Sequence, residues 1–194
     1  MRSLTSSILK CKKNFNYFLK WPASSEAHTI FNGPVIANSF GDLLSICRQL
    51  HSPWTTAPRT PQEFAQYIER IRQPNQKELL VVVDERSIAG VFNINEIVFG
   101  CFQSVYLGFY ATVDYAGRGI MSVALKLVLS HIFEQLKLHR IEANIQPGNE
   151  KSIRLVQSNG FRKEGFSPKY LKIDGEWRDH ERWAMTFEGW SKGL

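Results

Sequence analysis

A short glycine turn is the first part of this chain with clear chemical potential. Gly117-Arg118-Gly119 follows a strand-like run and opens directly into a long helical pattern. The first N–H groups of a helix have no partner within it, and the helix dipole adds positive potential at the same point. Glycines there let a phosphate approach the backbone closely. The turn therefore predicts an anion site, although a glycine pair between strand and helix is also typical of a plain tight connection.

A second polar motif, Asn149-x-x-Ser152, follows a Pro-Gly break and begins another helical pattern. We expect Asn149 to cap this helix and Ser152 to lie on the same helical face, three residues later. His180 has no partner at a spacing suited to a metal ligand, so we expect no metal. Three cysteines, Cys11, Cys47 and Cys101, fit neither a disulfide framework nor a zinc site, which favours a reducing compartment.

Hydrophobic periodicity predicts the elements that position these motifs. They form an α+β (α/β) fold: an antiparallel meander of three strands, a βαβ unit around the glycine turn, and a C-terminal hairpin turning at Asp174-Gly175. The predicted helices cover 43–50, 61–71, 121–136 and 150–159. The predicted strands cover 79–83, 88–97, 105–113, 140–146, 161–165, 169–173 and 177–187.

Most of the net charge of +6 lies in the first 25 residues. This head contains five basic residues and no acid, which leaves 19 basic and 18 acidic residues in 26–194, a net of +1. Its composition is typical of a poorly ordered extension or of an organellar targeting segment, and we set it aside from the fold. The remaining single domain, 26–194, is nearly neutral, so we expect no direct nucleic-acid binding. No apolar run is long enough to span a membrane.

Several motifs in order carry a family resemblance. They are His139-Arg140-Ile-Glu-Ala-Asn144, Pro147-x-Asn149-x-x-Ser152, Asn159-Gly-Phe-x-x-Glu164-Gly, and Tyr170-Leu-x-Ile-Asp-Gly-x-Trp177-Arg-Asp-His180. With the glycine turn, they resemble the GNAT N-acetyltransferases, and more narrowly the Rim branch, whose members acetylate the N-termini of ribosomal proteins. The RimJ type is the nearest match. The resemblance implies the GNAT fold, acetyl-CoA as co-substrate and a cytoplasmic location.

The resemblance also implies roles for individual residues. Glu164 would be the general base, Ser152 the proton donor to sulfur, and Asn149 a contact to the pantetheine arm, while Val156 stands where many GNAT enzymes have a tyrosine. A backbone N–H between Tyr110 and Thr112 would stabilise the oxyanion. The further acetyl-CoA contacts are Ala111, Thr112, Val113, Gly117, Arg118, Gly119, Ile120 and Met121. The acceptor site would be lined by Trp54, Asn93, Asn95, Tyr110, Tyr170 and Trp177, with His180 as a further candidate.

Three functions remain open at this stage. The first is acetylation of a protein N-terminus, for which the truncation of residues 1–25 is expected to leave activity intact. The second is acetylation of a small amine, such as a polyamine or an antibiotic. The third is a non-catalytic module that binds acetyl-CoA or RNA. For this reading, lost activity would be marked by the missing tyrosine and by Asp114, which stands three residues before Gly117 where the family usually has Arg or Gln. The chain is expected to be a monomer or a homodimer.

Overall fold

The computed structural model describes most of the chain from the first predicted meander onward. The described residues are 8–10, 17–20, 54–55, 60–83 and 87–193, and for the first two ranges only the backbone is described. The helix predicted at 43–50 lies outside them. Cys101 is described and is exposed, whereas Cys11 and Cys47 lie outside the described residues.

Eight strands and four α-helices make up the described fold. The strands are β1 Ile8–Lys10, β2 Tyr17–Lys20, β3 Lys77–Val83, β4 Ser87–Val98, β5 Ser104–Ala111, β6 Arg140–Ile145, β7 Arg162–Ile173 and β8 Glu176–Thr186. The helices are α1 Pro61–Ile71, α2 Ile120–Ser130, α3 Glu150–Ser158 and α4 Phe187–Ser191.

All eight strands form one mixed sheet in the order β1-β2-β3-β4-β5-β6-β8-β7. Neighbouring strands are antiparallel except β5 and β6, which α2 connects as a parallel pair. The predicted meander, βαβ unit and C-terminal hairpin are therefore confirmed. The two pieces predicted at 161–173 are one strand, β7, whose pairing with β8 is interrupted by two register shifts.

The N-terminal head contributes to the sheet. Backbone pairing joins β2 to residues 80–83 of β3, and β1 to β2, both antiparallel. Setting all of residues 1–25 aside from the fold was therefore wrong for these two segments. Charge composition misled the prediction because strand pairing is made by backbone groups, which do not depend on side-chain charge. The domain boundary at residue 26 stays a prediction.

The two faces of the sheet differ in polarity. One face packs against α2 and forms the core, with side chains such as Phe92 and Ile94 from β4 and Val128 from α2 fully buried. The opposite face carries the alternate residues of the same strands. Because Glu78 pairs directly with Asn93, and Asn93 with Gly108, these three positions form one row across β3, β4 and β5 on this polar face. Helix α1 lies against this face, where Tyr67 contacts the row.

Local signals define α1 and α2. The N–H of Glu63 donates to Thr60 Oγ1 at 3.1 Å, and Pro61 occupies the first turn, as predicted for α1. The helix predicted over 121–136 continues past α2 as a π-helical turn at His131–Gln135, where the N–H of Leu136 donates to the His131 carbonyl. This wider turn packs Phe133 against Trp190 of α4.

Candidate active site

The parallel strands β5 and β6 separate part way along their length. They pair only from Ser104 to Tyr106, opposite Arg140 to Glu142, although β5 continues to Ala111 and β6 to Ile145. A wedge therefore opens in the middle of the sheet towards the carboxyl ends of both strands. Its two edges carry backbone groups that the partner strand does not satisfy, so the wedge can take an extended polar chain as a substitute strand.

The direction of the β5 amides follows from one hydrogen bond at the strand's end. The Thr112 N–H donates to the Ala89 carbonyl of β4 at 2.9 Å. Because amides alternate sides along a strand, the N–H groups of Phe109 and Ala111 point away from β4, towards the wedge. The hydroxyl of Thr112 also bonds to carbonyls of β4. Both donors of Thr112 are therefore used within the sheet, whereas the Ala111 N–H is directed towards the wedge. The roles of Thr112 and Ala111 as acetyl-CoA contacts stay predictions.

The glycine turn lies at the open end of the wedge. Gly117 and Gly119 have φ of 76° and 77°, a conformation that favours glycine, and nothing lies within 4 Å of where a Cβ would stand at either position. The first turn of α2 contains no acidic residue. Arg118 stacks its guanidinium over the Tyr115 ring. The backbone N–H groups of this turn, including those of Ile120 and Met121, fit the diphosphate that the resemblance expects here.

Helix α3 begins beside the end of β6. Asn149 Oδ1 accepts from the Ser152 N–H at 3.2 Å, which confirms the predicted cap and leaves the Asn149 amide group without a hydrogen bond among the described residues. The Trp54 ring lies against Gly148, and its carbonyl accepts from Gln146 at 3.2 Å. The structure thus brings Trp54, Asn149 and Ser152 to the end of the wedge. Val156 is fully buried in the core, so its position supplies no proton donor.

Asn159, at the carboxyl end of α3, holds the two helices of the site together. Its Nδ2 donates to Ser122 Oγ in the first turn of α2 at 3.0 Å and to the Leu155 carbonyl at 2.8 Å. Gly160 follows with φ of 89°, which ends the helix. This Asn-Gly pair therefore fixes the position of the glycine turn relative to α3. The pair is part of the motifs that carry the resemblance, but its contact with α2 was not predicted.

A buried acidic cluster lies on the polar face. Glu78 is only 4% exposed, and its Oε1 accepts from the Tyr67 hydroxyl at 2.6 Å. The same hydroxyl lies 3.1 Å from Asn93 Oδ1 and is hydrogen-bonded to the Tyr110 side chain. We call Tyr67, Glu78, Asn93 and Tyr110 the acidic cluster. Asn93 and Tyr110 were predicted to line the acceptor site, whereas Tyr67 and Glu78 were missed.

The missed residues left a weak signal in the sequence. Glu78 follows Lys77 at the start of an otherwise apolar strand, and a charge at a buried strand position is rare unless it is paired or functional. Its burial depends on α1 and β4, which are remote in sequence. Burial raises the pKa of Glu78 to about 7, despite the opposing effects of the Tyr67 hydrogen bond and the positive charge of Arg70. Burial also raises the pKa of Tyr67.

The raised pKa of Glu78 predicts a pH-dependent stability. A carboxyl whose pKa rises on folding binds more protons in the folded state, so the free energy of unfolding falls as pH rises from about 4.5 to about 7. The expected loss is about 3 kcal/mol. Glu78→Gln should therefore be more stable than the wild type at pH 8, with the difference shrinking towards pH 5. Urea unfolding across this range measures it.

The matched control is Glu69→Gln on the exposed side of α1, which should follow the wild-type pH dependence. A constant difference in unfolding free energy between Glu78→Gln and wild type at all pH values would contradict the raised pKa.

Glu164, predicted as general base, lies at the start of β7 in an ion pair with Arg140. Its side chain is 40% exposed, and the Arg140 hydrogen bond holds the pKa of Glu164 below its usual value. Arg140 also donates to Glu142 at 2.8 Å, beside the closed end of the wedge. The location suits an acceptor site, but the paired carboxylate is a weakened proton acceptor. The role of Glu164 stays a prediction.

The remaining predicted acceptor residues are not all in one place. Asn95 is paired with Tyr106 across β4 and β5, and the Tyr106 hydroxyl is hydrogen-bonded to Tyr170, so these lie together near the closed end. Trp177 is 60% exposed, opposite Lys172 on the terminal hairpin, away from this group. His180 is buried against the Tyr170 ring, and its Nδ1 lies 2.9 Å from the Arg178 carbonyl. Burial lowers the pKa of His180, in keeping with a neutral structural histidine.

Neither a metal-binding cluster nor a membrane-spanning helix is found among the described residues. In residues 54–55, 60–83 and 87–193, no three His, Cys, Asp or Glu side chains are grouped to hold a metal ion. None of the helices described is both long and apolar enough to cross a bilayer.

A wedge in a mixed sheet, with a glycine turn and a helix N-terminus at its open end, suits an acyltransferase that uses a coenzyme A thioester. The chain belongs to the GNAT acetyltransferase family: the model of the acetyltransferase (GNAT) domain matches residues 34–162. It is an N-acetyltransferase that uses acetyl-CoA.

Curated relatives agree with this class. A probable N-acetyltransferase of Bacillus subtilis, YjcK, is 35% identical over 126 residues, which cover 64% of this chain and 69% of the relative. The ribosomal protein uS5-alanine N-acetyltransferase of Escherichia coli is 40% identical over 110 residues, 57% of each chain. The chain thus matches little more than half the length of the E. coli relative.

Solved structures are similar over nearly the whole chain. The ribosomal-protein-S5-alanine acetyltransferase of Vibrio fischeri has a TM-score of 0.74 and 27% identity, covering 95% of this chain and 98% of its own. Mycobacterium smegmatis RimJ, solved with CoA-disulfide, has a TM-score of 0.70 and 24% identity, covering 94% and 87%. At 24% identity, the similarity to Mycobacterium smegmatis RimJ shows only that the fold is shared.

Proposed function

We propose that the protein acetylates the N-terminal α-amine of another protein. By analogy with its relatives, we propose that this acceptor is a ribosomal protein. The observation that carries this proposal is the wedge, which leads from the anion-binding turn of α2 to the polar face where the acidic cluster lies. The Escherichia coli and Vibrio fischeri relatives are named as acetyltransferases of a ribosomal protein's alanine, which supports a protein N-terminus as the acceptor. A cytoplasmic location belongs to the same proposal.

The residues along the two edges of the wedge have different proposed roles. Acetyl-CoA supplies the activated acetyl group as a thioester. The N–H groups of Phe109 and Ala111 can bind chain carbonyls along β5 and the oxygen on which charge develops. Asn149 can donate its amide to the pantetheine arm, and the Ser152 hydroxyl can give a proton to the departing sulfur. The glycine turn and Arg118 hold the diphosphate.

Charge on the polar face favours a peptide over a polyamine. Spermidine N-acetyltransferases of Vibrio cholerae share the fold at 18% to 20% identity. A polycation would need several exposed free carboxylates, yet Glu142 and Glu164 both pair with Arg140, and Glu78 is only 4% exposed. A neutral acceptor chain with one amine suits this balance better.

A thiol-release assay with a panel of acceptors tests the proposal. Peptides beginning with Ala or Ser should release CoA from acetyl-CoA, and mass spectrometry should locate the acetyl group on the α-amine. The same peptides with a blocked N-terminus are the matched control and should release none. Spermidine or an aminoglycoside reacting while no peptide does would contradict the proposal. No release with any acceptor would favour a non-catalytic acetyl-CoA-binding module.

A further inference from the structure

The acidic cluster has the geometry of a proton path that begins at the acceptor face and ends in a buried carboxylate. Tyr67 is half-buried, whereas Glu78 behind it is 4% exposed. The Tyr67 hydroxyl donates to Glu78 Oε1 at 2.6 Å, and Glu78 Oε2 is buried with no hydrogen-bond partner among the residues described. Protonation is favourable for a carboxylate with a buried oxygen that has no hydrogen bond, because it removes the buried negative charge.

The cluster also reaches the strand that borders the wedge. Tyr67 is hydrogen-bonded to Tyr110 of β5, which stands between Phe109 and Ala111, whose amides point into the wedge. The row from Glu78 through Asn93 ends at Gly108 on the same strand. Gly108 itself contributes no side chain to this part of the polar face. A Cβ there would meet only ordinary contacts, 3.6 Å or more away.

We propose that Glu78 is the proton acceptor of the transfer reaction, and that Tyr67 passes the proton to it from the acceptor amine. This rests on the proposed function. The relevant groups facing Glu78 among the described residues are Tyr67 and Arg70 from α1, Asn93 from β4 and Tyr110 from β5. Arg70 is the single cation among them, and it is not hydrogen-bonded to Glu78, so the carboxylate is not held in an ion pair.

The step balances without any further reagent. The ammonium gives one proton to the Tyr67 oxygen as the Tyr67 hydroxyl proton moves to Glu78 Oε1. The neutral amine then forms the N–C bond, the C–S bond of the thioester breaks, and the second amine proton neutralises the departing thiolate. Glu78 afterwards loses its proton to solvent. The pKa of Glu78 near 7 suits a base that works and resets at neutral pH.

The two carboxylates on the polar face make competing predictions. Glu164 is paired with Arg140, which holds the pKa of Glu164 low, whereas burial raises that of Glu78. Where the surroundings of two carboxyl groups give them different pKa values, the two groups commonly have different catalytic roles. Glu78→Gln should lower kcat at pH 8 by roughly 100-fold or more, with the peptide KM nearly unchanged. The rise of kcat with pH near 7 should also disappear.

Tyr67→Phe tests the relay, because it removes the hydroxyl and keeps the ring. It should cost about as much as Glu78→Gln, and the double variant should be no worse than either, since the two residues act as a unit. A merely structural role would give additive losses and an unaltered pH profile. Glu69→Gln, exposed on α1, is the control and should retain wild-type kcat.

The outcomes separate the two proposals. A wild-type enzyme that releases no CoA contradicts the proposed function. An active wild type whose Glu78→Gln variant keeps kcat within about threefold overturns the role of Glu78, as does loss of the pH-dependent rise in Glu164→Gln alone. Should Glu78→Gln fail to fold, Tyr67→Phe and the wild-type pH profile decide: absence of any rise near pH 7 and full activity of Tyr67→Phe would each overturn the proposal.

Discussion

Gly119→Asp is expected to weaken acetyl-CoA binding by about 100-fold while the protein stays folded. Gly119 has φ of 77° just before α2, and aspartate is among the residues that best tolerate this conformation. A carboxylate at a helix N-terminus is also favourable in the free protein. It would, however, stand where we propose that the diphosphate binds, and two like charges about 5 Å apart repel by roughly 3 kcal/mol at an effective dielectric constant of 20.

Calorimetric titration with acetyl-CoA measures this effect, and thermal unfolding checks the fold. Gly119→Asn is the matched control, because it has the same shape and backbone tolerance without the charge, so its loss should be much smaller. The gap between the two variants should narrow at high salt. Equal losses of acetyl-CoA affinity in both variants would show that the turn acts through its shape and not through its electrostatic potential.

Removal of residues 1–20 is expected to make the protein aggregate and unfold at lower urea concentration. Residues 80–83 of β3 pair with β2, and β3 is an apolar strand. Without β1 and β2, its N–H and C=O groups would form a free edge that pairs readily with another chain. Charge alone predicts that removal of residues 1–25 leaves acetyl transfer intact, whereas the pairing of β2 with β3 predicts a loss of stability.

Light scattering and urea unfolding of the truncated protein measure this effect. Removal of residues 1–7, which leaves both strands in the chain, is the control and should keep the molar mass and urea midpoint of the full protein. A protein lacking residues 1–20 that keeps both properties would show that β1 and β2 add little to the sheet.

Most elements could be predicted from the sequence because their signals are local. The Thr60 cap of α1, the Asn149 cap of α3 and the Asp174-Gly175 turn each involve residues within three positions of one another. Strand and helix periods are local as well. The motifs that define the family lie on these elements, which is why the order of residues along the chain is enough to predict the class of enzyme and its co-substrate.

The site needed contacts that no local pattern contains. The wedge exists because β5 and β6 stop pairing after Tyr106 and Glu142, and a strand's sequence does not say where its partner leaves it. The direction of the Thr112 amide likewise depends on its pairing with β4, which the sequence of β5 does not contain.

The sequence by itself determined the order of elements from α1 onward, the glycine turn and the family, because caps, turns and periodicity act between neighbours along the chain. The tertiary structure decided which groups can do chemistry. Tyr67 and Glu78 are 11 residues apart, and Asn93 is 26 residues from Tyr67, yet packing α1 on the sheet joins them and removes Glu78 from water. Burial sets the protonation of Glu78, and burial is a property of the folded chain alone.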